Sequence, residues 1–464
     1  MKTPEFVWTR RHVVALLALC TAQVLDAVDS TVVNVALPAI QDDLAFTAAD
    51  LSWVVNAYMV PFGGFLLLGG RLGDLLGHRR VLLGGIALFT GTSLAAGLAQ
   101  GAGMLVAARA VQGLAAALIA PMTLALISQI FPDGRARARA LALWGTATVV
   151  SGALGLVAGG LLVDGPGWRW IFFINVPVGA LLLVAGRVLP GRAEGRRSTE
   201  FDFVGAATAT VGVGLLIYGV LRAQWWLVLV GVALLGYFAV HEAAVAKRPL
   251  VDFGLFRDRA LVGANLIQMV RASALFGLFY LATLFMQDVL GLSALATGLA
   301  YVPLTLVMVA ASWLGPGLTR RLHVRTVLAS GALLAAAGLL PLAWISPDTG
   351  LLMGVIVPLV VFGAGLGLIV VPLTNAALSG VSPSAAGVAA ALLNVSAQLG
   401  GAFGLAVLAT AAAARTGDRL REGTPMDLAL TDGYGSAFVV SAFLMALCAV
   451  LAITFFHGRK DAAA

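Results

Sequence analysis

The sequence predicts an all-α polytopic membrane protein with about fourteen bilayer crossings. Of the 464 residues, 60% are hydrophobic and only 11% are charged, whereas a soluble domain has about 25% charged residues. Apolar stretches of about 20 residues, long enough to span the hydrocarbon core, recur along the whole chain. The 55 glycines suit the close helix packing found in lipid. These three observations exclude an ordinary globular protein.

Each crossing is assigned to one apolar stretch between polar or charged segments. The first stretch follows Met1–Arg11 and is too long for a cleaved signal peptide, so we expect an uncleaved anchor. In chain order the predicted crossings are Val13–Leu37, Leu51–Gly69, Val81–Leu98, Met104–Ser128, Ala138–Leu162, Trp170–Val188, Phe203–Leu221, Trp225–Val240, Leu261–Phe285, Ala294–Trp313, Val327–Trp344, Leu351–Leu373, Ala386–Ala411 and Ser436–Phe456.

The basic residues indicate how the chain is oriented. Most of the 29 lysines and arginines lie in alternate loops between the apolar stretches, and cytoplasmic loops are the ones enriched in Lys and Arg. Both termini are therefore predicted to be cytoplasmic. The net charge of +7 and the pI near 9.9 follow from these loops, so no nucleic-acid partner is expected. Cys20 and Cys448 lie in apolar stretches without metal-ligand spacing and predict no chemistry.

The crossings group as six, two and six. We predict an N-terminal six-helix bundle over 1–190, a two-helix central insert with flanking cytoplasmic loops over 191–260, and a C-terminal six-helix bundle over 261–464. The inner loops Gly70–Leu82 and Gly317–Leu328 form a weak internal repeat, and repeated halves around a central site are typical of secondary transporters.

Two loops stand out. Pro249–Phe256 mixes apolar and polar residues and is predicted to lie along the inner membrane surface. Arg415–Gly433 is predicted to be a long outer loop, and we assign it no function.

Two acidic residues, Asp26 and Asp29, lie inside the first crossing. A carboxylate in a membrane helix costs roughly 2.5–3.5 kcal/mol and is found facing protein or a water-filled space. Residues spaced i, i+3 share one helix face, and two close carboxyl groups cannot both ionise cheaply. The pair is therefore expected to titrate as a coupled unit. The alternative is that one of them caps or pairs with a neighbouring helix.

Two arginines also fall within crossings. Arg109 carries a permanent charge in the fourth crossing and needs a partner or water; Gln112, one turn further on, is placed to hold it. A structural role for Arg109, with hydrogen bonds to backbone carbonyl groups, remains open. Arg271 in the ninth crossing either lines a central cavity opposite the aspartates or extends towards an interface.

Several motifs occur together in order along nearly the whole chain, and with them the sequence resembles the fourteen-spanner drug–proton antiporters of the major facilitator superfamily. The inner-loop signature is matched by Gly70, Leu72, Asp74, Gly77, Arg79 and Arg80, and the fourth-helix motif by Arg109, Gln112 and Gly113. The first-helix motif of this branch is matched by Asp29–Pro38, and a further branch-specific stretch by Trp168–Pro177.

The resemblance implies roles for these residues. It makes Asp29 the acidic residue of the first-helix motif, with Asp26 as an addition that is the more exposed of the two. It gives Arg109 a part in proton relay or in setting the proton affinity of a carboxylate. It gives the inner loop, through Asp74, Arg79 and Arg80, the role of a latch that closes the inner side in the outward-facing state. The alternative for the loop charges is simple solvation.

The sequence departs from the family pattern at two places. The fifth-helix antiporter motif lacks its proline, since Leu156 follows Gly155, and the second copy of the inner-loop signature lacks its aspartate. The first departure weakens the indication of exchange, and the second leaves any latch one-sided. A glycine face remains on the fifth crossing, for helix sliding or for simple close packing; its members are Gly152, Gly155, Gly159 and Gly160.

Polar, aromatic and methionine side chains within the crossings are candidates for lining a substrate cavity. Individually each is as well explained by a helix–helix contact, but together they describe a large, mildly polar cavity suited to bulky amphipathic compounds. Besides Arg271, they are Gln23, Asn34, Trp53, Asn56, Tyr58, Met122, Gln268, Tyr280, Gln287, Asn394 and Gln398. Asn394 and Gln398, spaced i, i+4, are placed to hydrogen-bond to each other.

The function expected from these features is proton-driven export of drugs or antibiotics across the bacterial cytoplasmic membrane. No cofactor is expected, because the proton-motive force supplies the energy, and a monomer is expected to suffice. Two alternatives stay open. One is an importer or uniporter of a metabolite such as a sugar; the other is a membrane enzyme or receptor, for which the sequence offers no catalytic motif.

Overall fold

Fourteen membrane-length or near-membrane-length helices follow the predicted crossings in the computed structural model, which describes residues 8–48, 50–131, 134–190, 202–222, 224–245, 253–382 and 385–456. Thirteen are long and apolar enough to cross a membrane, and the remaining one, α7, has a shorter apolar stretch. We number them α1 Arg10–Leu44, α2 Trp53–Leu76, α3 His78–Gly97, α4 Ala102–Ile130, α5 Gly134–Asp164, α6 Trp170–Val188, α7 Phe203–Leu221, α8 Trp225–Ala244, α9 Arg259–Val289, α10 Ala294–Arg321, α11 Val324–Trp344, α12 Leu351–Leu378, α13 Ala386–Arg421 and α14 Met426–Phe455.

The predicted long outer loop Arg415–Gly433 is wrong. Helix α13 continues to Arg421 and α14 begins at Met426, so only a short link joins them. The last turns of α13 contain two ion pairs at i, i+3 spacing, Arg421 with Asp418 and Arg419 with Glu422, each at 2.8 Å. Arg419 also pairs with Asp432 of α14 at 2.5 Å. Charged pairs one turn apart stabilise a helix outside the apolar core, which hydrophobicity alone does not reveal.

Helices α1 to α6 form one packed group, and α9 to α14 form another with the same internal pattern. In the first group α1 packs on α5, α2 on α4, and α3 on both α4 and α6; in the second, α9 packs on α13, α10 on α12, and α11 on both α12 and α14. This repetition is the three-dimensional form of the internal repeat. The exact limits of the predicted insert, 191–260, stay a prediction because 191–201 and 246–252 lie outside the described residues.

Two seams join the groups: α2 with α13, and α5 with α10. Glycines permit the close approach at both. At the α2–α13 seam, a Cβ on Gly63 would lie 2.8 Å from the Leu399 side chain, and at the α5–α10 seam a Cβ on Gly160 would lie 2.5 Å from the Leu295 Cα. Small residues at such positions let helix backbones meet in lipid.

The α5–α10 seam lies at the end of the molecule that the loop charges predict to be outer. There the Asp164 carboxylate accepts hydrogen bonds from the backbone N–H groups of Ala294 and Leu295 at 3.1 and 2.8 Å. Asp164 thus caps the first turn of α10 from the opposite half of the molecule. Nearby, the Gln287 side chain donates to the Val35 carbonyl at 2.9 Å, which ties α9 to α1.

Helices α7 and α8 form a hairpin beside one seam. They pack on each other, and α7 also packs on both α2 and α13. The hairpin therefore lies against the α2–α13 seam. Of the predicted surface segment Pro249–Phe256, residues 249–252 lie outside the described part, and the rest belongs to a short 3-10 helix, Phe253–Arg257.

Candidate functional site

The site is organised by the close packing of α2 on α4. A Cβ on Gly113 would collide with the backbone carbonyl of Tyr58, and one on Gly69 with that of Ala117. With no side chain at either glycine, the two backbones approach closely enough for Arg109 on α4 to reach the main chain of α2, where its Nε donates to the Val54 carbonyl at 3.1 Å. This explains why a glycine follows the arginine and glutamine in the fourth-helix motif.

Asp29 is completely buried and is surrounded by donors. It forms an ion pair with the Arg109 guanidinium, and it also accepts hydrogen bonds from the side-chain amides of Gln112 and Asn175, each at 2.8 Å. A buried carboxylate needs both a cation and hydrogen bonds to offset its desolvation. Asp29 has both, so the prediction that it pairs with another helix describes this structure.

Arg109 is 1% exposed and is the centre of a network over five helices. Its Nη1 also donates to the Gln112 side-chain oxygen at 2.8 Å, and its guanidinium carbon lies 4.4 Å from the centre of the Tyr58 ring. The Gln112 amide donates to Ser93 of α3 at 2.9 Å. Arg109 thus has the predicted contacts to a carboxylate, to Gln112 and to a backbone carbonyl.

Two members of this network, Ser93 and Asn175, were not among the predicted site residues. Asn175 brings α6 into the network, and its amide also donates to the Ser93 hydroxyl at 3.4 Å. Its place inside the branch-specific stretch Trp168–Pro177 was the available signal. A serine on an apolar helix gives no comparable signal, because it usually bonds to its own helix.

Asp26 lies one turn from Asp29 but has different neighbours. It is 4% exposed, and it accepts hydrogen bonds from the Tyr58 hydroxyl and, at 3.2 Å, from the Gln23 amide. Thr123 of α4 in turn lies 3.5 Å from the Gln23 side-chain oxygen. No Lys or Arg side chain of the described residues forms an ion pair with Asp26. Both aspartates are buried, and Asp26 is slightly the more exposed.

The second intramembrane arginine has no acidic partner among the described residues. Arg271 is 8% exposed, and its Nε and Nη2 both donate to the Gln268 side-chain oxygen, at 3.2 and 3.0 Å. Gln268 lies on the same helix, α9, so these bonds connect Arg271 to no other element. The arrangement is unlike that of Arg109.

The inner-loop motif has the predicted turn but no engaged latch. Gly77 has φ of +94°, a conformation that favours glycine, and it separates α2 from α3. Asp74 lies 3.4 Å from His78, whose other ring nitrogen lies 2.7 Å from Gln129 of α4. Among the described residues, Asp74 pairs with none of Arg135, Arg137 and Arg139. Arg79 and Arg80 form no ion pair there either, and Gly70 faces open space.

The predicted glycine face of α5 is wrong as a single packed surface. A Cβ on Gly155 or Gly159 would meet α1, whereas one on Gly160 would meet α10 of the other half. Gly152 has no atom within 4 Å of the corresponding position. The last three turns of α5 therefore serve two different contacts, which the spacing of the glycines does not reveal.

The remaining cavity candidates do not form one surface. The Met122 side chain packs against Gly73, and the Trp53 ring lies 5.8 Å from the Tyr218 ring of α7. Gln287 forms the hydrogen bond between the halves described above, and Tyr280 is buried. Asn34 bonds only to its own helix, while both amide atoms of buried Asn56 have no partner in the described structure. Asn394 is exposed, Gln398 is half-buried, and the predicted bond between them is absent.

Comparison with known proteins identifies the family. The sequence profile of the Major Facilitator Superfamily matches residues 19–405. The chain belongs to the Major Facilitator Superfamily. It is 40% identical to the cephamycin export protein CmcT of Amycolatopsis lactamdurans, over 97% of this chain and 94% of that protein. It is 36% identical to the puromycin resistance protein pur8 of Streptomyces alboniger, over 97% and 92% of the two chains.

Solved structures show the same fold at low sequence identity. A bacterial homologue of the human lysosomal transporter Spinster, in an inward-facing and unoccupied conformation, matches with a TM-score of 0.67 at 18% identity, over 97% of both chains. The POT family transporter PepTSo matches with a TM-score of 0.70 at 13% identity, over 97% of this chain and 99% of the other. The predicted family and fold class are confirmed, and the chain is a multi-pass transporter of the bacterial cytoplasmic membrane, not an enzyme.

Proposed function

We propose that this transporter exports amphipathic small molecules, drugs or antibiotics among them, in exchange for protons by alternating access. The names of the two relatives, one an export protein and one a resistance protein, support export. The observation that carries the proton coupling is the unequal environment of two buried carboxyl groups one turn apart. Asp29 is ion-paired with Arg109, whereas Asp26 has only hydrogen-bonding partners.

In this proposal Asp26 is the group that binds and releases the proton. A carboxyl group buried without a cation is more stable in its neutral form than one that is ion-paired. The Tyr58 hydroxyl and the Gln23 amide can donate to Asp26 when it is ionised, and Gln23 can also accept when it is protonated. Gain or loss of the proton therefore changes the bonds between α1 and α2, and this couples the proton to helix position.

Asp29 and Arg109 have a different role in the proposal. Their ion pair, with Gln112, Asn175 and Ser93, holds α1, α2, α3, α4 and α6 together as one unit. The Tyr58 ring beneath the Arg109 guanidinium connects this network to Asp26. The charge of Arg109 thus acts on Asp26 at a distance, without neutralising it by contact.

Alternating access rests on the two seams. In this structure the outer ends of α5 and α10 are joined through Asp164, while Asp74 at the inner side is not engaged with another helix group. We propose that the outer contact opens, and that the Asp74 loop engages, when the protein faces outward. This preserves the latch role that the family resemblance implies.

The test is transport in everted membrane vesicles that carry a proton gradient, acid inside, with a panel of cationic dyes and antibiotics. Asp26→Asn is expected to abolish gradient-driven accumulation of cargo, since it imitates a permanently protonated group. The same variant is expected to retain cargo exchange in the absence of a gradient. If the Asp26→Asn variant accumulates cargo in response to the gradient as the wild type does, Asp26 is not the proton carrier.

Asp29→Asn serves as the matched control at the neighbouring position. It leaves Arg109 without an anion, so its main expected effect is a lower thermal stability of the purified protein. Wild-type accumulation that is unaffected by a protonophore contradicts proton coupling altogether. If cargo moves from the lumen of the everted vesicles to the outside, the result favours the alternative function, an importer.

A further inference from the structure

Arg271 lies inside the C-terminal helix group, far from both ends of its helix. It is near the middle of α9, and its neighbours on the same helical face, Ile267, Ala274 and Leu278, are 1%, 0% and 0% exposed. A side chain that extends to the headgroups starts near a helix end. The burial of Arg271 and of these neighbours favours the prediction that the side chain faces the protein interior over the prediction that it extends towards an interface.

Arg271 also does not hold helices together. Arg109 shows what a structural arginine does in this protein, because it bonds to a carboxylate on α1 and a backbone carbonyl on α2. The two hydrogen bonds of Arg271 both return to Gln268, one turn away on its own helix. Within the described residues no carboxylate and no carbonyl group of another helix accepts from it.

The contact with Gln268 orients the guanidinium without neutralising it. A glutamine oxygen accepts hydrogen bonds but carries no charge, so the positive charge stays uncompensated among apolar neighbours. An ionisable residue in a membrane interior that lacks a structural partner marks a substrate or ion pathway. The planar guanidinium matches a carboxylate better than any other biological anion except phosphate.

We propose that Arg271, oriented by Gln268, binds an anionic group of the cargo, and that the substrates include amphipathic carboxylic acids. The inference rests on the proposed export function and adds a substrate class to it. It gives the two halves complementary tasks: the N-terminal half holds the titratable Asp26, and the C-terminal half holds the fixed positive charge that recognises the cargo.

The experiment compares amphipathic carboxylic acids with their methyl esters, pyrenebutyric acid and its ester among them, on the purified full-length protein in nanodiscs. Affinity is measured by fluorescence or by ligand-induced thermal stabilisation. The wild type is expected to bind the acids at least tenfold more tightly than the esters. Arg271→Gln is expected to bind acids and esters equally. Arg271→Lys keeps the charge but not the paired N–H donors of the guanidinium, and it is expected to retain part of the preference for acids.

Arg320→Gln, at an exposed position near the inner end of α10, is the control for loss of a positive charge elsewhere. A wild type that binds acids and esters equally overturns the proposal, and so does an Arg271→Gln protein that keeps the preference. If Arg271→Gln does not fold, the acid-to-ester ratio of the wild type and of Arg271→Lys still decides. Gradient-driven export of the dye panel by the wild type is measured separately, so that failure of export and failure of acid recognition are distinguished.

Discussion

Asp26 and Asp29 have the same side chain, the same helix and nearly the same depth, and yet they differ in what surrounds them. Asp29 faces Arg109, Gln112 and Asn175 from two other helices, whereas Asp26 faces the Tyr58 hydroxyl and Gln23. In a low-dielectric interior the neighbours of a carboxyl group decide whether its charge is tolerated. This difference is the reason why the proposed function gives the permanent charge to Asp29 and the exchangeable proton to Asp26.

At the residue scale, the Asp29–Arg109 pair leads to a prediction about stability. Arg109→Ala removes the cation from a fully buried carboxylate and is expected to destabilise the protein by about 3–5 kcal/mol. Arg109→Gln combined with Asp29→Asn removes both charges together and is expected to recover a large part of that loss. Thermal unfolding of the purified variants in detergent measures both effects. A double variant as unstable as the single one contradicts the pairing.

At the element scale, close approach depends on single glycines. The α2–α4 contact at Gly113 places Arg109 and Tyr58 together, and the two seams between the halves use Gly63 and Gly160 in the same way. Glycine costs helix stability relative to alanine, so each such contact must gain more from packing than the helix loses. This explains why the same residue type is found in all three interfaces.

The Gly113 contact can be tested directly. Gly113→Ala places a methyl group against the Tyr58 backbone and is expected to separate α2 from α4 at a cost of about 1–3 kcal/mol. Gly103→Ala, in the same helix but with no atom within 4 Å of its Cβ position, is the control and is expected to be neutral or slightly stabilising. Melting temperatures of the two variants are compared. Equal melting temperatures would mean that α4 can move away from α2 without loss of stability, and that close approach at Gly113 does not stabilise the protein.

At the scale of the whole molecule, the two seams are related by the repeat but are not equivalent. The α7–α8 hairpin lies against the α2–α13 seam, while the α5–α10 seam carries the Asp164 cap across the halves. The Asp164 carboxylate binds two N–H groups that have no partner within α10, and it also interacts favourably with the dipole of that helix. The Asp164 contact is therefore polar, and water can replace both of its hydrogen bonds when the outer seam opens.

Removal of this cap is expected to open the outer side. Asp164→Ala loses about 1 kcal/mol of capping energy, which changes the ratio of closed to open forms about fivefold. Spin labels at Leu161 and Leu299, which are both exposed, report the distance between α5 and α10 by pulsed electron–electron double resonance. The distance distribution is expected to shift to longer values in Asp164→Ala and less in Asp164→Asn. Unchanged distances in both variants mean that the cap does not hold the outer side closed.

The site could be predicted from the sequence in part. An arginine or aspartate within an apolar stretch is visible without any structure, so Asp26, Asp29, Arg109 and Arg271 were all found. The polar residues that complete their surroundings are less visible, since Ser93 and Asn175 are absent from the predicted site residues. The predicted bond between Asn394 and Gln398, elsewhere in the molecule, does not form. A polar side chain is cheap enough in a helix to occur for many reasons, and only its neighbours show which one applies.

By itself the sequence determined the number and order of the helices, the side on which their loops lie and the family, because the length of an apolar stretch, the position of a charge and a short motif are local properties. It did not determine which aspartate receives the cation, whether Arg271 has a partner, or which face of α5 meets the other half. Those outcomes depend on how far each helix is rotated and how closely it approaches its neighbours. Rotation and approach are set jointly by all the helices, so only the tertiary structure decides them.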